Sequence, residues 1–308
     1  MKPLIVGTRG SALALVQAEM TEAALRSAFP DRDIIRKVVK TTGDLRTDIP
    51  LSQVAKVTGV LDKGVFTKEL EIALENNEVD IAVHSLKDVP TVLANHFEMA
   101  GVLERAPSRD VLISSHSGGL DGLPEGATIA TSSVRRQRQL QWLRPDIRLV
   151  DIRGNVATRL RKLAENEALD ATMLAEAGLL RLGYHLSEKI DAGLYATALA
   201  PEDFLPAAGQ GIVGFEIRKG DADARTCVQA MTHAPSMVQA RAEREFLRLL
   251  DAGCSTPVGV RSCIGGSVLS MAARVFDENN NLPPSEARAE GPLSDPESVA
   301  NELFQSIQ

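Results

Sequence analysis

Apolar and polar positions in the first two hundred residues alternate between two periods. Short apolar runs at Leu4–Thr8, Ile34–Val39 and Val79–Val83 read as strands. Between the first two, Leu13, Val16, Met20, Ala24 and Leu25 recur at helical spacing behind Ser11, a residue type that caps helix starts, and the pattern stops before Pro30. Phe66, Leu70, Ala73 and Leu74 share one face of a second predicted helix over 66–76. The rhythm then repeats, with strands predicted at Asp110–Ile113, Thr128–Ala130, Ile147–Ile152 and Ala171–Leu174. Helices are predicted at Val134–Leu143, Val156–Asn166 and Glu176–Leu182. This β-α-β order implies two α/β units of mainly parallel sheet covered by helices. Breaks fall at Glu104–Ser108 and Pro201–Pro206. After Gly220 the texture changes to a long amphipathic helix over Pro235–Asp251, three strands (Val258–Ile264, Val268–Phe276, Ser285–Ala289) and a last helix from Pro296, a small α+β unit.

A chain of 308 residues suits two or three such domains. Its 44% hydrophobic and 24% charged residues exclude a wholly disordered chain. A net charge of −7 and only 4% aromatics argue against nucleic-acid binding. The three cysteines, Cys227, Cys254 and Cys263, form no C-x-x-C and the five histidines are scattered, so no metal site is expected. No charge-free run is long enough to span a bilayer and the first residues do not read as a signal peptide, so a cytoplasmic protein without a membrane partner is expected.

Charge changes the picture. Between Thr131 and Lys162 nine basic residues face only Asp146 and Asp151, leaving that stretch at +7 and the rest of the chain at −14. Such an island suits a local anionic ligand better than a polyanion, and arginine captures carboxylates with two parallel bonds. Arg138, Arg144, Arg148, Arg161 and Lys162 read as surface. Arg9, Arg135, Arg136, Arg153 and Arg159 stand at strand-to-helix turns, where open α/β sheets bind ligands and helix starts favour anions. Thr131 and Ser133 open the helix that carries Arg135 and Arg136, where they could serve simply as its cap. Another strand end is His84-Ser85-Leu86-Lys87-Asp88, which would place an acid against the basic pocket. Gly209-Gln210-Gly211-Ile212-Val213-Gly214 matches a dinucleotide fingerprint but precedes a strand, so it reads as a turn. Cys227 and Cys263 read as buried, and Cys254 as an accessible loop thiol.

The motifs Gly7-Thr8-Arg9-Gly10-Ser11, Asp80–Pro90, Thr131–Arg136, Arg153–Leu160, Leu174–Leu179 and Pro206–Gly211 in this order closely resemble the porphobilinogen deaminase (hydroxymethylbilane synthase) family, almost end to end. The resemblance implies two lobes like those of type II periplasmic binding proteins, with mixed, mainly parallel sheets, and a small α+β C-terminal domain. By analogy these are 1–103 plus 203–220, 104–202, and 221–308. It implies a transferase of tetrapyrrole biosynthesis. Four porphobilinogens would be joined, each with loss of ammonia, on a covalent dipyrromethane cofactor held by a thioether to Cys254. Hydrolysis would then release hydroxymethylbilane. Asp88 matches the catalytic aspartate. Ser85, Lys87, Thr131, Ser133, Arg135 and Arg136 match groups around the cofactor, and Arg9, Ser11, Gln17, Lys63, Arg153 and Arg159 match groups around the substrate. A monomer acting on a small molecule, with no metal, is expected. One departure is the segment Ala55–Gly64, three residues longer than the family's A-K-x-G-G-K-G. Without the resemblance, a solute receptor or effector-sensing domain would describe two lobes and an anionic-ligand cleft equally well.

Overall fold

The first strand, β1 (Leu4–Arg9), buries Leu4 and Val6 on one face and turns Ile5 to the other, the period-two pattern of a strand covered on both sides. In the computed structural model, which describes residues 2–41, 67–186, 189–190, 193–252, 256–277 and 283–307, it lies inside a five-stranded sheet. Helix α1 (Ala12–Ala28) follows, and Ser11 caps it by accepting from the Ala14 N–H. Then come β2 (Ile34–Val39), α2 (Lys68–Glu75), β3 (Ile81–Ser85) and β4 (Phe97–Val102). The chain crosses to a second sheet with β5 (Asp110–Ser114), β6 (Thr128–Ala130), α3 (Val134–Leu143), β7 (Arg148–Val150), α4 (Val156–Ala164), β8 (Ala171–Ala175), α5 (Glu176–Arg181) and β9 (Tyr195–Ala198). It returns with β10 (Val213–Arg218). Lys63, the longer segment 55–64 and Cys254 lie outside the described residues.

The two sheets share one plan. Their orders are β2-β1-β3-β10-β4 and β7-β6-β8-β5-β9. In each, four strands point one way and the fourth position is reversed. The expected mixed, mainly parallel sheets are therefore present. The reversed strands are β10 and β5, the two that enter a sheet from the other lobe. Ala106 N donates to Gly211 O at 3.1 Å, so the two crossings run side by side. Gly211 has φ +88°, and a Cβ there would lie 2.3 Å from Ala106 O, so no other residue fits this contact. The glycine-rich run is the turn into β10 that its sequence implied.

After β10 come α6 (Ala222–Met231), α7 (Ala234–Leu249), β11 (Val258–Gly265), β12 (Val268–Val275), β13 (Ser285–Pro292) and α8 (Pro296–Gln305). Strands β11 to β13 form an antiparallel sheet whose core unites Phe246 of α7, Leu269 and Met271 of β12, and Leu303 of α8. Helix α6 does not join this unit, as a boundary at 220 had implied. Its Ala224, Cys227 and Val228 bury against Leu4, Ile81 and Phe215 of the first sheet. The burial of Cys227 agrees with its helical pattern, whereas Cys263 on β11 is only partly covered.

Candidate functional site

Strand ends of the first lobe supply one wall of a cleft. The ends of β1 and β3 place Arg9 and Ser85 beside the start of α1, and a single 3-10 turn, Leu86–Asp88, continues from β3. A cavity enclosing about 420 Å³, open solvent included, is lined by Arg9, Ser11, Gln17, His84, Ser85 and Asp88, among others. Gln17 Nε2 donates to Ser85 Oγ at 2.8 Å. Below, His84 Nε2 and Glu216 Oε2 stand 3.0 Å apart, both buried. Leu86 is buried with Ile212 and with Ala240 of α7, which fixes the turn from beneath.

The second lobe supplies strand ends of its own. Ser133 occupies the position before α3, but its side chain makes no capping bond, so the resemblance's ligand-facing role for Ser133 is not displaced by a capping one. Thr131 is only 1% exposed, and its Oγ1 accepts from Ser133 N at 3.3 Å. The Ser132 hydroxyl donates to Ile152 O and accepts from Ile152 N, tying this turn to the one carrying Arg153. Gly154 has φ +117° there, and a Cβ would press to 2.6 Å on Thr158. Asn155 caps α4, and Arg159 Nε donates to Gly154 O at 2.8 Å.

Arg135 and Arg136 hold a surprise. Each is 6% exposed, and both grip Asp110, a carboxylate of the chain itself at the first residue of β5. Arg135 Nη1 donates to Asp110 Oδ2 at 2.7 Å and to Leu205 O at 2.6 Å. Arg136 Nη2 donates to Asp110 Oδ1 at 2.6 Å, and its Nη1 to Met173 O at 2.8 Å. These bonds hold the crossing to α3, and from that seat both arginines bring positive charge to the cleft. Gln210 on the other crossing donates to Asp110 Oδ1 at 3.2 Å and accepts from Lys87 Nζ at 3.4 Å. Of the arginines expected at the surface, Arg148 and Arg161 are exposed, while Arg144 is half-buried beside Asp146.

These charges act across the cleft. Burial alone would raise the Asp110 carboxyl, but Arg135 and Arg136 outweigh it and hold it well below the usual carboxylate range. Lys87 keeps much of its surface open, yet protein walls crowd it on most sides. That desolvation pushes its ammonium down to about 8; Asp88 and Asp110 oppose the shift, and Arg136 and Arg135 add to it. On the second lobe, desolvation pushes Arg159 down to about 10, helped by Arg136 and Arg153 and opposed by Asp88. Asp88 and Arg159 belong to different lobes and sense one another, so the cleft joins the two sets of strand ends.

Local pattern did not reveal Asp110, Gln210 or Arg181. Asp110 is the first residue of a strand, Gln210 sits in a turn, and Arg181 closes α5, where its Nη2 donates to Gly211 O at 2.7 Å. Their partners are distant in sequence, and no spacing rule points to them.

Residues 4–226 match the family model described as porphobilinogen deaminase, dipyromethane cofactor binding domain, and residues 237–307 match the porphobilinogen deaminase C-terminal domain. The chain belongs to the porphobilinogen deaminase family. It is 45% identical over 281 residues to a porphobilinogen deaminase of Chlorobium luteolum, covering 91% of this chain and 85% of that one. It is 45% identical over 274 residues to the one from Chlorobium phaeovibrioides, covering 89% and 83%. A porphobilinogen deaminase of Chloroherpeton thalassium is 42% identical over 274 residues, with the same coverage. Members of this family are transferases, so the chain is an enzyme of tetrapyrrole chemistry whose larger matched region is the cofactor-binding one. Among the described residues no helix is long and apolar enough to cross a membrane.

The donor set suits the family's cofactor. A dipyrromethane bears carboxylates, which call for cations, and pyrrole N–H groups, which call for an acceptor. Lys87, Arg153 and Arg159 offer the first, with Arg153 in electrostatic range of Arg159, and Asp88, in range of Lys87 and of Arg159, offers the second.

Asp110→Ala would strand two buried guanidinium groups. It should lose about 3–5 kcal/mol of unfolding free energy, read by urea denaturation; a loss below about 1 kcal/mol would show that the pair finds other partners. The proximity of Asp88 to Lys87 has a pH signature. With Lys87 labelled by reductive ¹³C-methylation in cofactor-free protein, Asp88→Asn should move its NMR titration midpoint downward, because a charge that raises it is removed. An upward move would place Asp88 elsewhere.

Proposed function

We propose that this cleft carries the hydroxymethylbilane synthase reaction with Asp88 as its catalytic residue and Cys254 as the attachment point of the dipyrromethane. The observation that supports this best is electrostatic. Asp88 of the first lobe lies within range of Lys87 beside it and Arg159 across from it, so one carboxylate faces converging cations. When bound, the dipyrromethane supplies the pyrrole carbon to which substrate is joined. Porphobilinogen would lose its protonated aminomethyl nitrogen as ammonia, the C–N bond pair leaving with nitrogen and the pyrrole left positive, and the new C–C bond would form as the accepting pyrrole carbon gives up its proton. Asp88 accepts the pyrrole N–H and opposes that positive charge, a fixed acceptor aimed at charge that develops only in the reaction. Lys87, Arg153 and Arg159 pair with the acetate and propionate groups of substrate and growing chain. Arg9, Ser11, Gln17 and Ser85 line the neighbouring cavity and orient the ring. Ser133 with the start of α3 would receive a further carboxylate. Thr131, with Arg135 and Arg136 from their seat on Asp110, joins Ser85, Lys87 and Ser133 in holding the cofactor carboxylates. Lys63 completes the substrate set. Covalent attachment keeps intermediates in place through repeated cycles.

We further propose three domains: the first lobe as 1–103 with the return from 203 through α6, the second as 104–202, and the third from α7 onward. A cytoplasmic monomer that binds neither nucleic acid nor membrane fits the charge distribution.

Intact mass of the denatured wild-type chain should exceed the sequence mass by one dipyrrole, and Cys254→Ala should abolish that increment. Asp88→Asn should keep the increment while porphobilinogen consumption falls by about 10² or more. A bare wild-type mass that stays bare after incubation with porphobilinogen would favour the solute-receptor reading. Near-normal turnover by Asp88→Asn would remove Asp88 from the chemistry.

A further inference from the structure

One helix holds the segment that carries Asp88 from both sides. Before the aspartate, Leu86 is buried against Ala240 of α7, and Leu86 N donates to Ile212 O at 3.0 Å. After it, Arg244 of α7 reaches three consecutive backbone carbonyls. Its Nη2 donates to Pro90 O at 2.7 Å and to Thr91 O at 3.2 Å, and its Nη1 to Val89 O at 3.3 Å. These carbonyls belong to the first, second and third residues past Asp88. The same helix holds the crossing. Glu243, fully buried, forms an ion pair with Arg105 at 2.6 Å and accepts from Gly209 N at 2.7 Å. Helix α7 ends at Leu249, five residues before Cys254 in sequence.

Arg244 is half-buried, and drawing a guanidinium even partly out of water is costly unless its donors find acceptors. Desolvation pushes Arg244 down to about 10, and Glu216 opposes the shift. No carboxylate bonds it directly among the described contacts; carbonyl oxygens take its donors. A lysine would offer its donors from one nitrogen, where Arg244 uses two to reach the three carbonyls. A packed apolar side chain would fill the space but leave Val89, Pro90 and Thr91 without these bonds.

We propose that Arg244 is a positioning residue, which locks the backbone after Asp88 to α7, the helix that precedes Cys254 in sequence, and so holds the catalytic carboxylate in place. The inference rests on the functional reading above. Arg244 itself touches no reacting atom. Its removal shifts the 3-10 turn, and a misplacement of about 1 Å in such a site costs roughly 10²-fold in rate.

The test compares pyrrole-loaded protein only, with loading verified by intact mass. Loaded Arg244→Gln should fold, show kcat for porphobilinogen consumption lowered about 10²-fold, and hold KM within about threefold, because the carboxylate-binding cations are untouched. Arg244→Ala should regain activity with methylguanidinium and not with methylammonium, a readout that simple destabilisation would not produce. Arg244→Lys should fall between wild type and Arg244→Gln, and it serves as the measured variant should the other two fail to fold. Unchanged kcat in loaded Arg244→Gln, absence of methylguanidinium rescue in folded Arg244→Ala, or full activity in Arg244→Lys would overturn this inference alone. A wild-type chain that never acquires the dipyrrole mass would overturn the functional reading, and this inference with it.

Discussion

A carboxylate enclosed by two guanidinium groups, Asp110 between Arg135 and Arg136, is the constraint on which the arrangement of lobes depends. Withdrawing three charges from water is costly unless each finds its partner in good geometry. Here Asp110 accepts from both arginines, and the remaining donors go to Leu205 O and Met173 O. The cluster lies where the chain enters the second sheet, and Gln210 from the returning crossing joins it. Both connections are thus held to α3 by one buried charge. The cluster also keeps a surplus of positive charge, which Lys87 and Arg159 feel as a downward pressure on their own protonation.

Around that centre the elements divide their tasks. Strand ends of the first lobe carry the acid and its neighbours, strand ends of the second carry cations, and α7 of the third unit fastens the acid's turn and the crossings with Arg244 and Glu243. Each task falls on regular structure or on turns braced by it, which holds the side chains of the cleft in fixed positions.

Much of this architecture is legible in the chain. The helix over Val134–Leu143 and the capping by Ser11 follow directly from local pattern, because apolar spacing and cap chemistry are local quantities. Strand β4, Phe97–Val102, contains Glu98 and lacks alternation, and β9 is a four-residue edge. Neither has a period long enough to read. Helix α6 carries a mixed face whose destination depends on packing against the first sheet. The candidate site divides in the same way. Arg153, Arg159 and Asp88 stand at strand ends that the β-α-β rhythm implies. The partner of Arg135 and Arg136 lies 25 and 26 residues upstream, and Arg244 meets its carbonyls more than 150 residues away. Such pairings are made by topology, and no local pattern encodes them. The seat of Arg135 and Arg136 on Asp110 is one of them.

The strand order has a bearing on how the chain is born. Strand β10 sits between β3 and β4, so the amino-terminal sheet has a gap at its fourth position until residues 213–218 have left the ribosome. The middle sheet is continuous in sequence and can close first. Translation at about 5–20 residues per second leaves the earlier lobe with two unpaired strand edges for some seconds after β4 emerges. Open edges of that kind invite mispairing, and the lobe that bears the acid is therefore the one most in need of protection during synthesis.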